Sequence, residues 1–195
     1  MIRSAKPLCR VAVFCGSAFG LNPAFRAEAL ALGAAIAGAG LSLVYGGANS
    51  GLMGVLADAA LAEGAEVIGV LPEVLSGREI AHTRLTSLEL VLTMHERKAR
   101  IHELCDAILV LPGGYGTLDE LLEAVTWAQI GLHAKPIILI NSANYWDGLL
   151  AFLDSAVACG FIEQRNRELL RVAANAAEAL AMAAGVVKSR AAVSS

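Results

Sequence analysis

The sequence predicts a doubly wound α/β domain, with a mostly parallel sheet and helices on both faces. Short β-branched or apolar runs alternate with longer segments of helical period, as in a chain that passes repeatedly from strand to helix. Its 195 residues suit one compact domain. Glycines cluster just after several of the apolar runs, where strands turn into helices and backbone can approach a ligand closely.

Residues 10–15 read as the first strand. A Gly-Ser turn follows, and Asn22 caps a helix with Pro23 at its first position. Gly38, Ala39 and Gly40 end that helix, and residues 41–45 make the second strand. The loop from Gly46 to Ser50 leads into a helix through about Glu63, stopped by Gly64, and residues 66–71 are the third strand. Residues 72–87 are irregular and read as an active-site loop or a short helical excursion, since long loops in compact domains are usually functional. A strand over 88–93, a helix over 94–105, a strand over 107–111, a helix over 117–130 and a last strand over 136–140 follow. Helices over 146–158 and 167–184 complete a single domain of residues 1–187, and residues 188–195 read as a disordered tail.

Composition narrows the function classes. Lys and Arg number 15 against 18 Asp and Glu, a net charge of −3 with a pI near 5.8, which argues against a nucleic-acid partner. Hydrophobic residues reach 56% and the mean hydropathy is +0.61, so a membrane span has to be weighed. The uncharged run over 29–57 is long enough, but Gly33, Gly38, Gly40, Gly46, Gly47, Gly51 and Gly54 break it, and no span is predicted. The apolar stretch after Arg3, Lys6 and Arg10 is too short for a signal peptide. Cys9, Cys15, Cys105 and Cys159 show neither paired spacing nor a C-x-x-C motif, and read as reduced thiols of a cytoplasmic protein. His95 and His102 form no His-Glu-x-x-His pair, so no metal is expected. Trp127 and Trp146 read as core or interface aromatics. No Ser-His-Asp or Cys-His arrangement stands at a recognisable elbow, which argues against acyl transfer.

The strongest local signal is Pro112-Gly113-Gly114-Tyr115-Gly116-Thr117, between an expected strand and an expected helix. Free amides and the helix dipole at such a turn suit a phosphate. The glycine spacing is neither that of a Walker A loop nor G-x-G-x-x-G. Glu120 has two readings. Thr117-x-x-Glu120 matches a capping box, in which Glu120 serves only the helix end. Alternatively its carboxylate stands beside the sugar of a bound nucleotide. Asp119, Glu120 and Glu123 make this helix end acidic, and Arg97 and Lys98 are the expected balancing cations. Thr93 and Glu96 form a second capping-box pattern at the start of their helix. Arg97 and Lys98 fall in a gap of the apolar stripe Met94, Ile101, Leu104 and Cys105, and an inward guanidinium needs an anionic partner. Arg100 lies off the stripe and reads as a solvated charge.

With these residues assembled, the sequence resembles the LONELY GUY (LOG) family of cytokinin riboside 5′-monophosphate phosphoribohydrolases. Residues 112–120 fit the family's PGGxGTxxE motif, and Met94-His95-Glu96-Arg97-Lys98 fits its second motif around an Arg-Lys pair. Val13 to Ser17, Tyr45-Gly46-Gly47, Gly51 to Gly54, and Thr126 to Gly131 give further support over residues 11–161. Asp119 stands where relatives often carry Glu. The resemblance implies a Rossmann-like fold and hydrolysis of the N-glycosidic bond of adenosine 5′-monophosphate, with or without an N6 modification, releasing free base (cytokinin or adenine) and ribose 5-phosphate. It implies Arg97 and Glu120 as the catalytic pair, with Glu79, Lys98, Gly113, Gly114, Tyr115, Gly116, Thr117 and Thr126 lining the substrate site. It implies no cofactor, a small-molecule partner only, and a homodimer.

Three other readings compete. A non-catalytic nucleotide sensor would use the same cradle, although the presence of both Arg97 and Glu120 weighs against it. A general purine nucleotide nucleosidase would share the chemistry without the hormone role. A lysine decarboxylase would need a pyridoxal phosphate lysine, and neither Lys98 nor Lys135 has such a setting in the sequence.

Overall fold

The computed structural model describes residues 8–76 and 81–193. Among them, seven strands form one sheet: β1 (Arg10–Phe14), β2 (Ser42–Tyr45), β3 (Val67–Pro72), β4 (Ser87–Val91), β5 (Ala107–Val110), β6 (Ile137–Ile140) and β7 (Leu170–Ala173). The order is β4-β3-β2-β1-β5-β6-β7 and every pairing is parallel. The helices are α1 (Pro23–Gly38), α2 (Gly51–Ala62), α3 (Glu73–Ser76), α4 (Met94–Leu104), α5 (Tyr115–Gln129), α6 (Asp147–Ala158), α7 (Gln164–Arg167) and α8 (Ala176–Val193). This is a doubly wound α/β sheet of the Rossmann-like kind, fully parallel where the sequence suggested mostly so.

The central strands read as continuous apolar runs because helices cover both their faces. Val11 and Val13 join Leu43, Leu109, Leu32, Ile36 and Leu56 in one core beneath α1, α2 and α8. Ala12 and Phe14 join Val44, Ile108, Ile101, Leu121 and Trp146 on the other face. Burying each large aliphatic contributes about 1.5–3 kcal/mol. Asn22 caps α1 as expected, its side chain accepting from the Ala24 amide, and Gly40 and Gly64 take left-handed conformations after α1 and α2.

Three boundaries differ from the sequence reading. Residues 167–184 are not one helix. α7 ends at Arg167, Leu170–Ala173 pairs with β6 as a seventh strand, and only then does α8 begin. The alanine-rich run beyond residue 173 carries a helical signal that masks four residues whose strand state is settled by pairing. α5 begins at Tyr115 with Gly114 as N-cap, earlier than expected, which places Thr117 inside the helix. α8 continues through Lys188 to Val193, into the segment that reads as tail. In the irregular stretch, the four-residue α3 matches the short helical excursion.

β1 lies where the strand order reverses, with β2 on one side and β5 on the other. In open sheets of this kind ligands bind outside the carboxyl ends of the strands at that switch point.

Candidate active site

The Pro112–Thr117 turn leaves the carboxyl end of β5 and starts α5. The Gly16 amide donates to the Pro112 carbonyl at 3.0 Å, tying this turn to the one after β1. Gly113 is forced by packing, because a Cβ there would stand 2.1 Å from Thr117 Oγ1. Gly114 and Gly116 differ, since a Cβ on either would meet only open space. With a glycine N-cap, no side chain covers the first amides of α5, which lack intrahelical acceptors. Such a bare helix N-terminus accepts an anion.

Arg97 comes from the first turns of α4. Thr93 caps that helix, its hydroxyl accepting from the Glu96 amide at 3.1 Å. The Glu96 carboxylate reaches past Thr93 to accept from the Leu92 amide at 2.8 Å, so the box closes one residue early. The helix then turns Arg97 inward. Its Nε donates to the Val70 carbonyl within β3 at 3.1 Å, and its Nη1 donates to Glu120 Oε1 at 3.0 Å. The pair is nearly dry, with side chains 12% and 11% exposed. The two residues that the sequence placed on separate helices therefore converge at the strand ends, and the capping-box reading of Glu120 is overturned. With Thr117 inside α5, Glu120 is no N3 residue and its carboxylate serves Arg97.

Burial pushes the Glu120 carboxyl above its ordinary range; the Arg97 and Lys98 charges oppose this, while Asp119 and Glu123 reinforce it. Burial first, and the Glu120 charge second, also hold the Cys15 thiol high at the end of β1. Glu120 bonds Arg97, whose guanidinium packs on Gly46 just after β2, and this places the pair at the carboxyl ends of the strands beside the switch point. Lys98 is buried and bridges Asp119 at 3.0 Å and Glu123 at 2.9 Å. Burial pulls its ammonium down, but the bonds to Glu123 and Asp119 more than offset this and leave it raised. The acidic start of α5 is balanced as the sequence suggested.

Other expectations change. The inward face of α4 is Lys98, Ile101 and His102, while Met94 is exposed. Arg100 is no free solvated charge, since it pairs with Glu89 through two bonds and with Glu103. Thr117 is buried in the first turn of α5 and Tyr115, which opens that helix, is exposed. Thr126 lies six residues beyond Glu120, about 9 Å further along the helix axis. It is exposed, and its hydroxyl donates to the Leu122 carbonyl. Glu79 lies outside the described residues. Trp146 is core and Trp127 is half-buried against His102, with ring centroids 4.7 Å apart. Burial, then the His133, Lys135 and Lys98 charges, lowers His102 to about 4, so it is neutral. Among the described residues, no three His, Cys, Asp or Glu side chains are grouped to hold a metal.

Sequence reasoning missed two participants. Gly46 makes room for the Arg97 guanidinium, and Tyr145, after β6, donates to the Gly113 carbonyl. The Tyr45-Gly46-Gly47 match was a signal for the first, and nothing local marks the second.

A fully parallel sheet with a glycine turn at its switch point and a buried guanidinium–carboxylate pair beside it defines an α/β protein of the Rossmann type. The chain belongs to the LOG family. The family profile described as "Possible lysine decarboxylase" matches residues 53–183. The cytokinin riboside 5′-monophosphate phosphoribohydrolase LOG7 of Arabidopsis thaliana is 44% identical over 169 residues, 87% of this chain and 78% of that protein. The phosphoribohydrolase LOG of Oryza sativa subsp. japonica is 44% identical over 169 residues, 87% of this chain and 70% of that protein. Among solved structures, a molybdenum cofactor binding protein from Rippkaea orientalis superposes with a TM-score of 0.70 at 20% identity, covering 92% of this chain and 98% of that one. The molybdenum cofactor carrier protein of Chlamydomonas reinhardtii superposes with a TM-score of 0.67 at 21% identity, covering 93% and 99%. These two share the fold.

The profile's description would require a lysine able to form a Schiff base with pyridoxal phosphate, which calls for a depressed ammonium. Lys98 is raised by its two carboxylates, and Lys135 donates to the His102 carbonyl. Neither described lysine side chain fits that cofactor.

Proposed function

We propose that this protein hydrolyses the N-glycosidic bond of N6-modified adenosine 5′-monophosphate, releasing a cytokinin base and ribose 5-phosphate. The observation that carries the proposal is the buried Arg97–Glu120 pair at 3.0 Å beside the switch-point turn. The amides of Gly113, Gly114, Tyr115, Gly116 and Thr117 receive the 5′-phosphate, which holds the ribose over Glu120. Breaking the C1′–N bond develops positive charge on the ribose. Glu120 stabilises that charge and takes a proton from the attacking water, as carboxylates do in glycosidases. Water oxygen bonds to C1′, the base leaves with the bonding electron pair, and the proton that Glu120 took from water passes to the base and restores the carboxylate. A carboxyl pushed up by burial accepts a proton more readily than a solvated one. Arg97 keeps that carboxylate ionised and aimed. Lys98 acts from behind, neutralising Asp119 and Glu123 so that the helix end does not repel phosphate. Glu79 and Thr126 are assigned to the substrate site by the family resemblance alone.

We also propose a homodimer in the cytoplasm. Exposed Leu122, Ile130 and Leu132 on and after α5 support an isologous apolar face. The cysteines with free thiols, two of them buried, support a reducing compartment.

The test is incubation with AMP, N6-isopentenyl-AMP and their nucleosides, followed by chromatography for free base. Release of base from the monophosphates, fastest with the N6-prenyl group, is expected. Nucleotide binding without base release would leave a sensor, and equal rates on all purine monophosphates would leave a general nucleosidase.

A further inference from the structure

We infer that Tyr145 is a positioning residue that aims the phosphate-binding amides. The inference rests on residues 113–117 being the phosphate cradle. The Tyr145 hydroxyl donates to the Gly113 carbonyl at 2.6 Å. That carbonyl and the Gly114 amide belong to one planar trans peptide, in which the C=O and N–H point in opposite directions. Holding the carbonyl on Tyr145 therefore directs the Gly114 N–H the other way and fixes its orientation. The need for such a clamp is local, since this peptide is flanked by glycine on both sides and has the widest rotational freedom a chain offers. The preceding carbonyl, that of Pro112, is held by the Gly16 amide, so two successive peptides of the turn are tethered by residues far apart in sequence.

The segment that delivers the hydroxyl carries strain. Ala143 and Asn144 sit at φ values of 51° and 59°, a left-handed pair with no glycine. Left-handed backbone is costly for residues that carry a Cβ and persists where surrounding contacts over-determine it, typically at functional sites. Here Asn141 supplies those contacts. Its Oδ1 accepts from the Trp146 amide at 2.8 Å, and its Nδ2 donates to Asp147 at 2.7 Å. The tyrosine ring is held edge-on by Phe25 and Trp146, with centroids 5.4 and 4.7 Å away. The ring is not itself core. Tyr145 is 42% exposed and lines, with Phe25, Leu52, Gly113 and Gly114, a crevice of about 270 Å³. A strained loop that presents a half-exposed hydroxyl to one carbonyl of the cradle makes sense if the direction of that peptide matters.

The experiment is Tyr145→Phe, which keeps the ring and removes only the hydroxyl. KM for AMP and the inhibition constant of ribose 5-phosphate should rise together by about five- to tenfold, as for the loss of one hydrogen bond. Inhibition by free adenine, which has no phosphoryl group, and the melting temperature should not move. An unchanged ribose 5-phosphate constant overturns the assignment. So does an equal rise for adenine, or a lower melting temperature with uniform loss, since either marks a merely structural tyrosine. The parent reading is checked separately in the wild-type protein. If neither inorganic phosphate nor ribose 5-phosphate competes with AMP there, the cradle falls and Tyr145 with it. If both compete equally well in wild type and variant, only the role of Tyr145 falls.

Discussion

The guanidinium of Arg97 lies so close over Gly46 that a Cβ at position 46 would stand 1.9 Å from Nη2. Glycine after β2 is thus explained by a side chain from α4 and needs no ligand to justify it. The clash is with the tip of a flexible side chain, so it is relieved by moving Arg97 and leaves the backbone where it is. Gly46→Ala should keep the melting temperature within a few degrees. It should lower kcat at least about tenfold, since displacing a catalytic group by about 1 Å is costly. Normal turnover in a folded Gly46→Ala protein would remove the Arg97 geometry from the mechanism.

Glu120→Gln is nearly isosteric and should leave a folded protein that binds AMP with turnover reduced by about 10²-fold or more. Arg97→Ala is the harsher change. It strands a buried carboxylate and should cost about 3 kcal/mol of stability at neutral pH in addition to activity. Chromatographic rates and thermal melts together separate the two variants, and a Glu120→Gln enzyme with near-normal rate would return Glu120 to a structural role.

The pH profile follows from the raised Glu120 carboxyl. The ionised form is the active one, so kcat/KM falls as pH drops through its pKa. Because burial raises that pKa, the acid limb should lie above the range of an ordinary carboxylate, about 4.3. In Gly46→Ala, which weakens the opposing pull of Arg97, the limb should move higher still. The sign for stability is the reverse. A carboxyl raised by folding favours the native state at pH below its unfolded pKa, and that contribution is lost as pH rises through the folded pKa.

Two glycine substitutions should part company. Gly114→Ala adds a methyl group that meets nothing in the chain, so stability should change by less than about 1 kcal/mol while KM for the nucleotide rises. Gly33→Ala forces a Cβ to 2.5 Å from the Leu56 carbonyl between α1 and α2, and should destabilise by about 1–3 kcal/mol with KM unchanged in the folded fraction. Urea melts and initial rates on the same preparations check both.

Much of this was legible locally. The expected strands at 10–15, 41–45, 66–71 and 107–111 and the Asn22 cap of α1 stand close to where the structure has them. Continuous apolar runs, caps and stop glycines are short-range signals that survive folding. Arg97 and Lys98, out of place on an apolar stripe, correctly pointed to anionic partners, although Met94 proved to lie outside the buried face.

What only the tertiary structure decided is everything set by contacts between distant segments. Leu170–Ala173 is a strand because β6 offers its edge, against the helical bias of the alanines that follow. Glu120 answers to a guanidinium 23 residues away in sequence, and not to the threonine three residues before it, because α5 starts earlier than the Thr-x-x-Glu pattern implies. Gly46 and Tyr145 acquire their roles from Arg97 and Gly113, partners no window of sequence contains. Propensity and periodicity are sums over neighbours along the chain, whereas pairing, burial and the direction of a hydrogen bond depend on which segments the fold brings together.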